Sequence, residues 1–179
     1  LFPHHENEIA QSESNFSDKY SNFWVHNNLI NFDNQKMSKS LGNIIKARDF
    51  IEDKGAEIFK FLILSVHYRS ILNFNDKIIK QTINNLFKIY SSLKLSSEIN
   101  NSELDTAYVK EYDNYFTLKK EEIDSYINND FNTPGAFSVI FDIVKKFNLL
   151  ALNKKLNSEI KYFSIHFLEF FNLYGEILG

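Results

Sequence analysis

The spacing of apolar residues along this chain changes character near residue 50. Before that point the hydrophobic runs are short, as in Asn22-Phe23-Trp24-Val25-His26 and Leu29-Ile30-Asn31-Phe32, and the second run ends at the polar turn Asp33-Asn34-Gln35. Short apolar runs bounded by turn residues predict strands, so this region reads as a helix over 4–16, one or two short strands and a loop. Beyond residue 50 the period becomes helical. Ile79, Ile83, Leu86, Phe87, Tyr90 and Leu93 form one stripe of a long helix opened by Asn75, whose side-chain oxygen suits a helix cap. A second helix carries Val109, Tyr112, Phe116, Ile123 and Ile127. A third opens at Thr133-Pro134, with threonine as cap and proline in the first turn, and buries Ala136, Ile140, Ile143, Val144 and Phe147. A fourth, opened by Ser158, carries Ile160, Phe163, Phe167, Phe171 and Tyr174. The serine- and asparagine-rich stretch Leu95 to Asp105 is the expected linker between the first two of these helices. By content the chain is mostly α.

Composition narrows the function classes. With 179 residues, 44% hydrophobic and 16% aromatic, the chain has material for a packed core of one or two small domains. Twenty basic residues against 23 acidic ones leave a net charge of -3, so contact with nucleic acid must be local. Cysteine is absent, which excludes disulfides and any thiolate metal site built from these residues alone. No stretch has the apolar length of a membrane span or the layout of a signal peptide. The chain opens at Leu1 rather than methionine, and the reading is of a soluble piece of a longer protein.

Two constellations carry chemistry. The first is Lys36-Met37-Ser38-Lys39-Ser40 followed by Leu41-Gly42-Asn43. Two ammonium groups three residues apart, two hydroxyls and a glycine that permits close backbone approach can wrap a polyphosphate. Point charges aimed at a leaving pyrophosphate lower the barrier to nucleotide transfer. The plain alternative is an exposed turn with surface lysines. The second constellation is Phe2-Pro3-His4-His5-Glu6-Asn7-Glu8. On a helix starting at Pro3, His4 and Glu8 stand one turn apart on one face, where imidazole and carboxylate can share a metal. Two donors are half a tetrahedral set, and the plain alternative is a helix start with acidic residues suited to the dipole.

These features lie in order within one longer resemblance. Residues Phe2 to Ser12, then Trp24-Val25-His26-Asn27, then Lys36 to Asn43, then His67-Tyr68-Arg69-Ser70 with Leu72-Asn73-Phe74, are similar to the cysteinyl-tRNA synthetase family. Asn129-Asp130-Phe131-Asn132-Thr133-Pro134 resembles the start of that family's helical tRNA-binding domain. The resemblance implies an architecture: residues 1–50 as the end of a class I, Rossmann-like α/β catalytic domain, residues 51–104 as stem-contact helices and linker, and residues 105–179 as an antiparallel tRNA-binding bundle.

It also implies a chemistry. Cysteine would react with ATP, carried with magnesium, to give cysteinyl-adenylate, and the cysteinyl group would pass to the terminal ribose of tRNA(Cys). In the family a zinc ion recognises the substrate thiolate through two cysteines, a histidine and a glutamate, and the last two match His4 and Glu8. His26 matches a histidine lining the cysteine pocket, Lys36 and Lys39 the loop lysines with Lys39 nearest phosphate, and Met37, Ser38 and Ser40 the rest of the ATP loop. Arg69, Lys77, Lys80 and Lys88 are candidate phosphate contacts for the tRNA stem, or else a solvated helix face. The partners implied are tRNA(Cys), L-cysteine and ATP, with a cytoplasmic monomer and no membrane.

Departures from the family pattern matter equally. The two zinc-binding cysteines, the histidine-glycine-histidine ATP motif and most of the nucleotide-binding sheet are not in these residues, so the segment alone is expected to be inactive. Ile71 replaces an expected proline and Asn28 a usual glycine, and both read as drift. A ligase passing cysteine to an amino-sugar amine, as in mycothiol synthesis, resembles the same family; a non-catalytic RNA- or protein-binding paralogue is the more distant alternative.

Overall fold

The computed structural model describes residues 3–15, 19–38, 40, 42–153 and 157–178. Among them the chain order is α1 (His4–Asn15), β1 (Ile30–Phe32), β2 (Gln35–Lys36), α2 (Ala47–Lys54), α3 (Ala56–Leu64), β3 (Leu72–Phe74), α4 (Asp76–Asn100), α5 (Lys110–Asn128), α6 (Thr133–Asn153) and α7 (Ser158–Leu178). The chain is mostly α, as its apolar periodicity implies.

The three strands form a small sheet in the order β2-β1-β3. β1 and β2 make a tight hairpin, with Phe32 opposite Gln35, and its two turn residues Asp33 and Asn34 take φ of 47° and 62°. Two consecutive left-handed residues match the right-handed twist of the flanking strands, and aspartate and asparagine tolerate that conformation. β3 lies parallel to β1 on the other side, pairing Ile30 with Leu72 and Phe32 with Phe74. The hairpin turn is tied to β3 by its own polar groups, since the Asn34 amide donates to Asn73 Oδ1 at 2.8 Å and Asn73 Nδ2 donates to Asn34 Oδ1 at 2.6 Å. No strand forms over 22–26, which runs without regular structure.

Between β1 and β3 the chain rises through α2 and α3, divided by Gly55 at φ 98°, a value that requires glycine. Phe50, Leu62, Phe74 and Ile79 form a compact core here, with Phe32 and Met37 packed on it. The hairpin leading to the lysine loop therefore shares one core with α2, α3 and the start of α4.

The larger core joins α4, α5, α6 and α7, centred on residues with essentially no exposure such as Ile123, Ile143, Phe147, Phe163 and Phe167. The α6 stripe is buried as periodicity predicts; in α7, Ile160, Phe163, Phe167 and Tyr174 are buried and Phe171 partly so. The expected α4 stripe is met in part, with Ile79 buried and Leu86 and Leu93 packed on the bundle core. Ile83, Phe87 and Tyr90 face outward, and the buried face runs Ile79, Thr82, Ile89, Ser92, Ser96 and Ile99. Small hydroxyl residues let α4 lie close to α7 and to α6, and the two serines find partners. Ser92 Oγ donates to the Lys88 carbonyl at 2.8 Å and reaches Asn148 Oδ1 at 3.1 Å, while Ser96 Oγ donates to the Ser164 carbonyl at 3.1 Å. For the same reason α4 runs on to Asn100, through half of the stretch expected to be a linker; buried Ile99 holds the last turn in the bundle.

The starts of α4, α6 and α7 follow local chemistry. Asn75 Oδ1 accepts from the Ile78 amide at 3.0 Å, the cap its position predicts. At α6 the cap is Asn132, whose Oδ1 accepts from the Gly135 amide at 3.0 Å, and Asn157 serves α7 in the same way through the Ile160 amide. Thr133, the expected cap, instead donates its hydroxyl to the Leu64 carbonyl at 2.7 Å, tying the start of α6 to the end of α3.

Candidate functional site

The lysine loop leaves the sheet at Lys36, the last residue of β2, whose side chain is exposed. Met37 turns inward onto the Phe50 and Phe74 core and anchors the loop's base. Asn43 then closes the loop as a substitute backbone: its Oδ1 accepts from the Ser38 amide at 2.9 Å and its Nδ2 donates to the Lys36 carbonyl at 3.3 Å. The hydroxyls of Ser38 and Ser40 lie 3.2 Å apart, and Gly42 takes φ 66°, with open space where a Cβ would stand. Among its described residues the loop is thus a polar turn with its two hydroxyls together and open space beside Gly42. Lys39 lies outside the described residues.

α1 and the segment 23–29 form a second group. The ring of His5 stacks on His26, with centroids 4.7 Å apart and planes 11° from parallel, and on Trp24 at 5.1 Å; Tyr20 tilts against Trp24 at 5.7 Å. His26 titrates below its usual range. Burial against the stack is the first cause, and nearby positive charge, including His5 and Arg69, adds to it. A neutral imidazole can accept a proton or a hydrogen bond at neutral pH. His4 and Glu8, one turn apart on α1, are both exposed. Their spacing and donor types fit two positions of a tetrahedral zinc site, and among the described residues no group of three or more histidine, aspartate or glutamate side chains could hold a metal.

The third group sits where the first core meets the bundle. Segment 65–70 runs beside 23–29, with the Asn28 amide donating to the Tyr68 carbonyl at 2.9 Å and Asn28 Nδ2 donating to the Arg69 carbonyl at 2.7 Å. The residue standing where the family favours glycine therefore makes a specific clamp. From this segment Arg69 reaches across to Asp130 in the α5–α6 turn, with Nε to Oδ2 at 2.7 Å and Nη2 to Oδ1 at 3.1 Å, and the Tyr68 hydroxyl donates to Oδ1 at 2.6 Å. These bonds hold the Asp130 carboxyl below the usual carboxylate range, Arg69 contributing most and Tyr68 next. Arg69 is thus paired with Asp130 while its side chain stays 66% exposed. Lys77, Lys80 and Lys88 are exposed along α4. A cavity of about 510 Å³ opens at this junction between Val25, Ile30, Leu64, Val66 and Phe131.

Sequence reasoning singled out Lys36, His4, Glu8 and His26 but assigned nothing to His5, Trp24, Asn43 or Asp130. Trp24 carried a signal in its aromatic type two residues from His26, and His5 in its place beside His4. Asn43 carried only the glycine-asparagine turn, and nothing local in the sequence pairs Asp130 with Arg69.

The chain is similar to known proteins along its whole length. Residues 1–84 match the family model described as the tRNA synthetases class I (C) catalytic domain, and residues 124–179 match the DALR domain. The chain is 37% identical over 183 residues to a protein of Bdellovibrio bacteriovorus named cysteine–tRNA ligase, covering 100% of this chain and 37% of that one. It is 35% identical over 178 residues to proteins of the same name from Staphylococcus epidermidis and Shouchella clausii, covering 99% of this chain and 38% of each. The chain thus spans well under half the length of these curated relatives.

Proposed function

The chain belongs to the cysteine–tRNA ligase family of class I synthetases, with catalytic-domain residues followed by a DALR domain, and on that premise we propose that it forms part of an enzyme that attaches cysteine to tRNA(Cys) using ATP. The observation that carries the reading is the lysine loop, a polar turn braced by Asn43 and rooted by Met37 in the core that also packs the sheet. In the first step a carboxylate oxygen of cysteine attacks the α-phosphorus of ATP, a new P–O bond forms and pyrophosphate leaves with its magnesium. In the second, a ribose hydroxyl of the terminal tRNA adenosine attacks the carbonyl carbon and AMP leaves. Neither step needs a protein nucleophile.

The roles proposed for this chain's residues follow from charge and position. Lys36 and Lys39 offset the negative charge that grows on the departing pyrophosphate, and Ser38 and Ser40 supply hydroxyl donors beside them. His26, stacked on His5, lines the amino-acid pocket. His4 and Glu8 would hold zinc together with two thiolates from outside residues 1–179. Zinc at that position supplies a preference for sulfur over hydroxyl oxygen, sufficient to separate cysteine from serine without editing. Within this reading residues 1–50 end the catalytic domain, residues 51–104 contact the tRNA stem through Lys77, Lys80 and Lys88, and residues 105–179 form the tRNA-binding bundle. The DALR domain supports an RNA acceptor over an amino-sugar amine. The enzyme is a cytoplasmic monomer in this reading, and no helix among the described residues is long and apolar enough to cross a membrane.

Cysteine-dependent ATP–pyrophosphate exchange by the full-length protein tests the reading. Lys39→Ala should slow exchange about a hundredfold, corresponding to roughly 3 kcal/mol of lost electrostatic stabilisation. Exchange that ignores cysteine, or that survives the substitution unchanged, would overturn it.

A further inference from the structure

We propose that Asp130 is a positioning residue: by gripping Arg69 and Tyr68 it sets the pose of the α5–α6 turn against the segment bearing His26, and so the angle at which the bundle delivers the tRNA acceptor end. The delivery rests on the function proposed above; the latch does not.

Three observations carry it. The contact joins residues 61 and 62 positions apart in sequence, so it forms only when bundle and first core are docked. It is geometrically specific, with both carboxylate oxygens and three donor atoms engaged at 2.6 to 3.1 Å. And the turn that presents it is strained, since Asp130 and Phe131 take φ of 55° and 53°, a left-handed conformation unfavourable for a bulky side chain. A turn made only to reverse the chain would place glycine there. Here the strained turn aims the Asp130 carboxylate at Arg69 and sets the Phe131 ring edge-on to Tyr68, centroids 6.5 Å apart.

The far side of the latch leads to the candidate site within a few residues. Tyr68 and Arg69 present their carbonyls to Asn28, and Asn28 is two residues from His26. The Arg69 side chain is 66% exposed and that of Asp130 42%. Ion pairs that open contribute little to stability, which leaves geometry as the contribution to be explained.

Two measurements on the full-length protein test this, using Asp130→Asn, Arg69→Gln and the double variant. Hydrogen exchange reads the latch without reference to function. The Asn28 and Ser70 amides should lose about tenfold in protection in Asp130→Asn while the interior amides of α6 keep theirs; unchanged protection at Asn28 and Ser70 overturns the latch. Kinetics read its consequence. Each single variant should lower the tRNA-charging kcat about tenfold, with the tRNA KM and pyrophosphate exchange within twofold of wild type, and the double variant should be no worse than either single. Additive losses, or exchange falling in step with charging, overturn the positioning role. A wild-type protein that shows no cysteine-dependent exchange overturns the proposed function instead, and the hydrogen-exchange result still decides the latch. Should Asp130→Asn fail to fold, Tyr68→Phe removes one hydroxyl from the same carboxylate, and the same amides should lose about threefold in protection; no loss there overturns the latch.

Discussion

The hydroxyl of Ser96 donates to the carbonyl oxygen of Ser164 at 3.1 Å across the α4–α7 contact, and both residues are fully buried. A serine at that position does two things: it satisfies its own hydroxyl and it is small enough to let the helices approach. Ser96→Ala should therefore cost about 1 kcal/mol, the usual net value of one hydrogen bond. Ser96→Leu should cost about 1–3 kcal/mol by overpacking a closed interface. Chemical denaturation measures both, and a leucine variant as stable as wild type would mean that α4 and α7 are not tightly apposed.

A second prediction concerns Gly135, in the first turn of α6. A Cβ there would run into Tyr126 Cδ1 and stand 2.7 Å from Cγ, atoms near the root of a ring that cannot swing aside cheaply. Gly135→Ala should destabilise by about 1–3 kcal/mol, and most of that loss should vanish in a Tyr126→Ala background. Equal losses in both backgrounds would show that the clash is not with Tyr126.

The lysine loop offers a third. Asn43→Ala removes both bonds that close the loop while leaving every lysine and serine in place. Pyrophosphate exchange in the full-length protein should fall about tenfold, or about 1.4 kcal/mol of barrier, with thermal stability little changed. Asn43→Asp keeps the acceptor for the Ser38 amide and should fall between the two. Exchange at wild-type rate in Asn43→Ala would remove the bracing role.

The bundle carries a pH-dependent pair. Tyr162 donates to Asp113 Oδ1 at 2.6 Å. The carboxylate beside it, with burial, pushes the Tyr162 phenol up to about 12, while the bond from Tyr162 is the largest influence holding the Asp113 carboxyl low, aided by Tyr108 and His166 and opposed by burial. Lowered in the folded state, Asp113 adds stability above the ordinary carboxylate value of 3.8, lost as pH falls through its depressed native value. Raised in the folded state, Tyr162 adds stability below its ordinary value of 10.0, lost as pH climbs toward about 12. Tyr162→Phe should lower stability at pH 7 and flatten both limbs. Thermal unfolding across the acid and alkaline ranges checks this, and limbs as steep as in wild type would exclude the pair as their source.

What the sequence by itself determined is the part written in short-range chemistry. Periodicity located the cores of α5, α6 and α7 because bulky apolar residues at helical spacing have one way to leave water. Asn75 marked the start of α4 because a cap needs only its own side chain and the next turn. The lysine loop and the His4 and Glu8 pair were legible because their residues are neighbours along the chain. Tertiary structure decided the rest. The buried face of α4 turned away from Phe87 and Tyr90 toward Thr82, Ser92 and Ser96, because close approach of helices rewards small side chains that can bond across the gap. β3 was invisible in a three-residue run and exists because β1 offers it a parallel edge. Thr133 left its expected cap to bond Leu64, and Asp130 met Arg69 across 61 residues. Such contacts have no local signature, since what pairs them is the docking of two cores and not the order of residues in either.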